Sequence, residues 1–169
     1  MKKTKVIIAD DMEPILIYLE NVLSSIEEIQ IVGKALNGND LVNSVINNKP
    51  DLVITDEQMP ECSGTGAINK LNEMKIRTKY VLITGYDDPL VNIQAKKLGV
   101  AKVIKKPILD DKTFIEHIKE IINDDAVSLE KAENEVIIIN KKQTNQETKE
   151  DIKKNTLKDV FRGIFKKGK

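Results

Sequence analysis

Several features that mark other classes of protein are scarce in this chain of 169 residues. Cys62 is the only cysteine, so no disulfide can form within the chain, which agrees with a reducing compartment. No apolar run approaches the roughly 20 residues that a helix needs to cross a bilayer. The basic start is followed by an apolar stretch of only Val6 to Ala9 before Asp10 and Asp11, so we expect no export and a cytoplasmic location.

The formal net charge of the chain is zero, but positive and negative residues are distributed unevenly along it. Residues 1–125 hold 16 Lys and Arg against 20 Asp and Glu, a net charge of −4. Residues 126–169 hold 11 against 7, a net charge of +4. No glycine or proline occurs in this second part before Gly163. An acidic body followed by a basic tail predicts two modules.

The first 125 residues alternate short apolar runs with segments of helical period. The predicted strands span residues 5–9, 29–35, 51–55, 80–84 and 100–105. Each is followed by apolar residues at the spacing of a helix. Examples are Leu41, Val45 and Ile46 in the second helix, Ile68, Leu71 and Met74 in the third, and Leu90, Ile93 and Leu98 in the fourth. Five such units predict a doubly wound α/β fold, a parallel sheet with helices on both faces.

Polar residues follow four of these strands. Asp10 and Asp11 end the first strand, Asp56 the third, Thr84 the fourth and Lys106 the fifth. Ligands of parallel sheets lie beyond the carboxyl ends of the strands, so we expect these side chains to converge. Three clustered carboxylates repel each other, and at least one should hold a proton unless a cation is bound. Oxygen ligands from aspartates suit a hard cation, and Mg²⁺ is the abundant one.

Such a cluster suits the transfer of a phosphoryl group. A cation would keep Asp56 ionised, and an ionised carboxylate can attack phosphorus to form an aspartyl phosphate. Lys106 would supply a flexible positive charge, and the Thr84 hydroxyl could donate to a phosphoryl oxygen. Each residue alone has an ordinary explanation, such as a helix cap for Asp56 or a solvated turn for Lys106. Only their joint occurrence at four strand ends favours a site.

The motifs around these residues resemble those of response-regulator receiver domains, over roughly residues 3–124. The matching segments are V-I-I-A-D-D (6–11), D-L-V-I-T-D-E-Q-M-P-E-C-S-G (51–64), V-L-I-T-G (81–85) and K-K-P (105–107). The resemblance implies a five-stranded sheet in the order 2-1-3-4-5, as in flavodoxin-like folds. It implies Asp56 as the phosphoacceptor. It also implies that Asp11, Asp56 and the backbone carbonyl of Gln58 hold Mg²⁺, with Asp10 acting mainly through water.

The same resemblance implies how the switch operates. The phosphodonor would be a phosphohistidine on a sensor histidine kinase or a histidine phosphotransfer protein. The chain would be no enzyme beyond transferring the phosphoryl group to itself and hydrolysing it. The resemblance further implies a cis peptide bond between Lys106 and Pro107.

One position departs from the family pattern, and two others lie where the family tunes the rate of hydrolysis. Receiver domains often carry an aromatic residue three positions before the lysine, and this chain has Val103 there. Valine has no polar tip and little rotamer freedom, so we expect signalling to run through the backbone around Thr84 to Pro89. Tyr86 and Gln58 occupy positions that tune hydrolysis in the family. Our hypothesis is that Tyr86 screens the phosphoryl group from water.

The remaining 44 residues (169 − 125) are short for a DNA-binding effector domain. We interpret 126–155 as a linker and 156–169 as a basic amphipathic helix. The fifth helix could extend and pair with a second copy of the chain, or it could end near Asp125 and leave Val136 to Ile139 to form a short strand. The leading hypothesis is a response regulator whose phosphorylation switches contacts with an unknown output protein. The alternative is a DNA-associated transcriptional regulator with a reduced tail, and contact of the tail with DNA or a membrane is the less favoured interpretation.

Overall fold

A computed structural model describes residues 2–86, 88–106 and 112–124 of the chain. The chain divides into two units, Met1–Ile122 and Asn123–Lys169. Along the described residues, β-strands and α-helices alternate. The elements are β1 (Thr4–Ala9), α1 (Glu13–Ser24), β2 (Ile29–Ala35), α2 (Gly38–Asn48), β3 (Leu52–Asp56), α3 (Gly64–Glu73), β4 (Lys79–Thr84), α4 (Pro89–Lys97), β5 (Lys102–Lys105) and a fifth helix, α5, over residues 112–124.

The five strands form one parallel sheet in the order β2-β1-β3-β4-β5. The predicted fold class and strand order are therefore confirmed. Strand β1 lies between β2 and β3, so the chain reverses its direction of travel across the sheet after β2. All five strands end at the same edge, which is where parallel α/β sheets place their ligand sites.

Helices cover both faces of the sheet. Alternate residues of one strand point to opposite faces, so Val6 and Ile8 lie on one face and Ile7 and Ala9 on the other. The first face packs against α1 and α5, with Phe114 of α5 buried among the strand residues. The second face packs against α2, α3 and α4. Strands buried on both faces explain why their sequences are continuously apolar.

Local sequence signals set the ends of the helices. Pro14 lies in the first turn of α1, where its missing N–H leaves no bond unmade. The side chains of Asn37, Ser63 and Asp88 accept hydrogen bonds from the backbone at the starts of α2, α3 and α4. Lys49 ends α2 in the left-handed region, at φ 47° and ψ 64°.

Several apolar residues that the helical spacing assigned to the core are exposed instead. Leu90 and Ile93 of α4 are 73% and 52% exposed, and Ala95 is the buried residue of that helix. Met74 lies just after α3 and is 54% exposed, and Ile46 of α2 is also exposed. Helical spacing reports which residues share a face, but burial requires a neighbouring element to cover that face.

Some predictions lie outside the described residues. These are the peptide bond to Pro107 and everything assigned to 126–155 and 156–169. Within the described ranges, no helix combines the length and the apolar character that a membrane span requires.

Candidate functional site

A cluster of three carboxylates lies at the carboxyl edge of the sheet. Asp10 follows β1, Asp11 comes next in the chain, and Asp56 is the last residue of β3. One carboxylate oxygen from each lies within 4.8 Å of the others. Asp10 is fully buried and Asp56 is 4% exposed, whereas Asp11 is open to solvent. The two buried carboxylates thus have fixed positions, and the exposed one leaves a path for an ion.

Among the described residues, Lys106 supplies the positive charge that contacts this cluster. Its Nζ donates to Oδ2 of Asp10 at 2.6 Å and lies 3.1 Å from Oδ1 of Asp56. The backbone holds it there, because the N–H of Lys106 donates to the carbonyl of Thr84 at 2.7 Å. The side chain is only 21% exposed, so water screens these ion pairs little. One ammonium group therefore neutralises only part of a site with three carboxylates.

Burial and charge set the protonation of the site. Burial raises the pKa of Asp56 above its ordinary value, and the charge of Asp10 raises it further. The charge and hydrogen bond of Lys106 and the N–H of Glu57 oppose this rise without cancelling it. Burial also disfavours the ammonium of Lys106, but its bonds to Asp10 and Asp56 outweigh that effect and raise its pKa. Lys106 therefore stays charged, while Asp56 is harder to ionise than a free aspartate.

Thr84 lies at the end of β4, and its hydroxyl is already engaged. Thr84 Oγ1 donates to the carbonyl of Tyr86 at 3.0 Å and accepts from the Tyr86 N–H at 3.3 Å. Thr84 is 6% exposed, whereas the Tyr86 ring is 66% exposed. In this state the Thr84 hydroxyl holds the loop after β4, and the Tyr86 ring points to solvent.

The other predicted site residues lie around this cluster. Gln58 is exposed in the loop after β3. Val103 of β5 pairs with Leu82 and is partly buried against the second face of the core. Cys62, in the loop after β3, is partly buried against the same core face. Pro107 lies outside the described residues.

Glu57 contributes a set of contacts that the sequence did not suggest. Its carboxylate accepts two hydrogen bonds from Thr65, at 2.9 Å from the backbone N–H and at 2.8 Å from Oγ1. Its carbonyl accepts from the N–H of Gly64 at 3.0 Å. The only signal was a charged residue next to Asp56 and a hydroxyl residue eight positions later. Nothing in that spacing indicates that the loop closes on itself.

Gly64 lies so close to Asp56 that a side chain would not fit. A Cβ atom at Gly64 would lie 2.2 Å from the carbonyl oxygen of Asp56. The start of α3 therefore packs directly on the backbone of Asp56, which explains why this position needs glycine.

The donor set of the cluster fits a hard divalent cation. The three aspartates offer oxygen ligands only, and no histidine or thiol lies among them. The surplus of negative charge favours a cation, and burial makes the ionised form of Asp56 costly, which a bound cation would offset. The site could therefore hold a metal ion.

Comparison with known proteins identifies a family whose members fit this fold and this cluster of carboxylates. The profile of the response regulator receiver domain matches residues 6–119. This match covers well over half of the chain, so the chain belongs to the receiver domain family of the response regulators. Receiver domains are signalling domains of two-component systems.

Individual relatives support the assignment. A transcriptional regulatory protein of Bacillus subtilis (strain 168), YesN, is 28% identical over 122 residues, which is 70% of this chain and 32% of YesN. The chain thus spans about a third of that relative. The response regulator domain of CheB from Thermotoga maritima superposes with a TM-score of 0.64 at 24% identity, covering 73% of this chain and 96% of that one. A chain of the CheX-CheY-BeF3-Mg complex from Borrelia burgdorferi gives 0.66 at 21% identity, covering 72% and 90%. These structures share the fold.

Proposed function

We propose that this chain is a switch that accepts a phosphoryl group on Asp56, and that the phosphoryl group changes its contacts with other proteins. The observation that supports this most is the position of Lys106, whose Nζ lies 2.6 Å from Asp10 and 3.1 Å from Asp56. A structural ion pair would need one carboxylate. Here one ammonium contacts two carboxylates, and an oxygen of a third carboxylate lies within 4.8 Å of theirs, at the sheet edge where ligands bind.

The chemistry would begin with an oxygen of Asp56 as the nucleophile. This oxygen forms a bond to the phosphorus of a phosphohistidine, and the bond between phosphorus and the imidazole nitrogen breaks. The leaving imidazole keeps the bonding electrons and takes up a proton. Lys106 would neutralise charge on the transferred group, and its bonds to Asp10 and Asp56, which raise its pKa, keep it charged despite its burial. Transfer of this kind depends mainly on positioning and charge neutralisation.

Mg²⁺ would be the ion held by Asp11, Asp56 and the carbonyl of Gln58, with Asp10 acting mainly through water. When bound, Mg²⁺ offsets negative charge on the phosphoryl oxygens and on the carboxylates. The exposed position of Asp11 supports this assignment, because the ion can enter without rearrangement of the core.

Thr84 would carry the signal to the surface. To donate to a phosphoryl oxygen, its hydroxyl must give up the bond to the Tyr86 carbonyl. Release of that bond frees the loop that leads into α4. Since Val103 replaces the usual aromatic, we propose that this backbone path carries the change.

A cytoplasmic sensor histidine kinase or histidine phosphotransfer protein would be the phosphodonor. The output would be a contact with a further protein or with a second copy of the chain. The complex of CheX and CheY from Borrelia burgdorferi is an example of a structure of this fold in contact with another protein.

Tyr86 would control the lifetime of the phosphorylated state. Its ring is 66% exposed but lies only two residues beyond Thr84, so a change in the loop could bring it over the phosphoryl group. We expect Tyr86→Ala to shorten the half-life of the phosphorylated protein, because water would reach phosphorus more easily. The half-life is followed by intact mass after removal of the phosphodonor. An unchanged half-life would mean that Tyr86 has no screening role.

The proposal is tested with the full chain, acetyl phosphate and Mg²⁺. We expect the intact mass to rise by one phosphoryl group, in a form that is stable to acid and labile to base. Asp56→Asn should abolish this increase, whereas a carboxylate change at the exposed residue Glu27 should not. A chain that gains no such mass, or that gains it equally as Asp56→Asn, would contradict the proposed function.

A second candidate is a DNA-associated transcriptional regulator. The relative YesN is a transcriptional regulatory protein, and this chain resembles about a third of it. A mobility-shift assay with the full chain, with and without phosphorylation, decides between the two. A discrete complex with DNA at physiological salt favours the regulator, and contact with protein alone favours the first proposal.

A further inference from the structure

We propose that Glu57 is a positioning residue of the phosphoacceptor site. Its side chain would hold the backbone between Asp56 and Gln58 in the conformation that presents the Gln58 carbonyl to a divalent ion. This inference rests on the proposed function, because it assumes that Asp56 and Gln58 belong to a Mg²⁺ site.

Every polar group of Glu57 makes a contact within its own loop or with β4. The backbone N–H donates to the carbonyl of Ile83 at 2.9 Å, and the carbonyl accepts from the N–H of Gly64 at 3.0 Å. The carboxylate accepts from the N–H of Thr65 at 2.9 Å and from its hydroxyl at 2.8 Å. The residue between the two proposed ligands is therefore tied at both its backbone and its side chain.

These contacts close the loop after β3 at its base. Residues 58–63 leave from Glu57 and return to Gly64 and Thr65, which Glu57 binds directly. Thr65 is 2% exposed, so its hydroxyl would lose a hydrogen bond in a dry environment if Glu57 were removed. Gln58 itself is exposed, and its side chain makes no hydrogen bond within the described part of the chain. The conformation of the Gln58 backbone therefore depends on the hydrogen bonds that Glu57 makes.

Capping of α3 does not by itself explain Glu57. Ser63 already caps this helix, because its Oγ accepts from the N–H of Gly66 at 3.1 Å. Ser63→Ala therefore offers a matched control, because it removes this cap and the 3.3 Å contact between Ser63 Oγ and Thr65 Oγ1 but keeps both hydrogen bonds from Thr65 to Glu57.

The test measures the dissociation constant of Mg²⁺ by calorimetry and the free energy of unfolding by urea, without any phosphodonor. Loss of a residue that orients a ligand typically weakens metal binding by about 10- to 100-fold. We expect a loss of about tenfold or more for Glu57→Ala. Ser63→Ala should lower the free energy of unfolding, as the loss of a helix cap typically does. Its affinity for Mg²⁺ should stay close to that of the wild type.

Two further variants separate geometry from charge. In Glu57→Gln, the amide oxygen can accept from the Thr65 N–H and the amide nitrogen can donate to Thr65 Oγ1, so affinity should stay close to that of the wild type. Thr65→Val keeps the backbone bond and loses the hydroxyl bond, so it should fall between Glu57→Gln and Glu57→Ala. If Glu57→Ala does not fold, these two variants still test whether the hydrogen bonds between Glu57 and Thr65 support Mg²⁺ binding.

The outcomes separate this inference from the proposed function. If the wild-type chain binds Mg²⁺ through Asp56 but Glu57→Ala binds it equally well, the inference is wrong and the function stands. If Glu57→Gln is as weak as Glu57→Ala, the charge of Glu57 and not its position matters, which also overturns the inference. If the wild-type chain binds no Mg²⁺ in a manner that depends on Asp56, the proposed function itself fails.

Discussion

Asp56 should destabilise the protein in the absence of metal, so its replacement by asparagine should raise the free energy of unfolding. The carboxylate is 4% exposed and shares its site with Asp10 and Asp11. Asparagine has nearly the same shape but carries no charge. Lys106 would keep its ion pair with Asp10 at 2.6 Å, so the change leaves no buried ammonium without a partner.

The distances allow an estimate of the gain. Oxygens of the three aspartates lie within 4.8 Å of one another, and Lys106 Nζ lies 3.1 Å from Asp56. At an effective dielectric constant of about 20, each repulsion is about 3.5 kcal/mol and the attraction is about 5 kcal/mol. The repulsion from Asp10 offsets much of the attraction to Lys106, and solvent screens the exposed Asp11, so burial is what makes the ionised form of Asp56 costly. We expect Asp56→Asn to stabilise the metal-free protein by about 1–2 kcal/mol.

The gain should depend on pH with a definite sign. Burial, the largest cause, raises the pKa of Asp56 in the folded protein above the ordinary value of 3.8 that applies to the unfolded chain. Between these two values the folded protein binds more protons than the unfolded chain, so stability falls as pH rises. The advantage of Asp56→Asn should be absent below the ordinary pKa and complete above the raised pKa.

The assay is urea unfolding followed by far-UV circular dichroism, with a chelator present and then with Mg²⁺. Mg²⁺ at about ten times its dissociation constant should add about 1.4 kcal/mol to the wild type and much less to Asp56→Asn. Glu27→Gln, in the exposed turn before β2, serves as the control for losing a carboxylate. The electrostatic reasoning is wrong if Asp56→Asn gains no more stability than this control at neutral pH in chelator.

Three further changes test the fold itself, each by urea unfolding. Lys49→Gly should stabilise the protein by about 0.5–1 kcal/mol, because Lys49 has a φ of 47° that favours glycine, and an equal gain from Lys49→Ala would contradict this explanation. Tyr80→Phe should stabilise it by about 1 kcal/mol, since the buried Tyr80 hydroxyl has no hydrogen-bond partner among the described residues. Burial raises the pKa of Tyr80 to about 12, so the ring stays neutral, and a loss of stability would reveal a partner. Phe114→Ala should cost about 3–5 kcal/mol because the ring is 2% exposed between α5 and the sheet, and a cost below about 1 kcal/mol would show that α5 packs loosely.

The sequence was sufficient to predict the strands, the helices and the parallel sheet of this protein. Strands buried on both faces must be continuously apolar, and that requirement is visible in any short segment, such as Val81 to Ile83. The candidate site was visible for a related reason. Polar residues that interrupt such runs at their carboxyl ends must gather at one edge, so Asp10, Asp56 and Lys106 could be placed together before any distance was known.

Other properties depended on contacts that no local pattern encodes. Leu90 and Ile93 keep the helical spacing of a buried face, yet they are exposed because no described element covers that side of α4. The bonds between Glu57 and Thr65 arise only when the loop after β3 returns to its starting point. Sequence patterns reveal what each segment requires for itself, such as a period or a capping side chain. Which surface is covered, and which distant partner satisfies a charge, is decided only when the segments pack together.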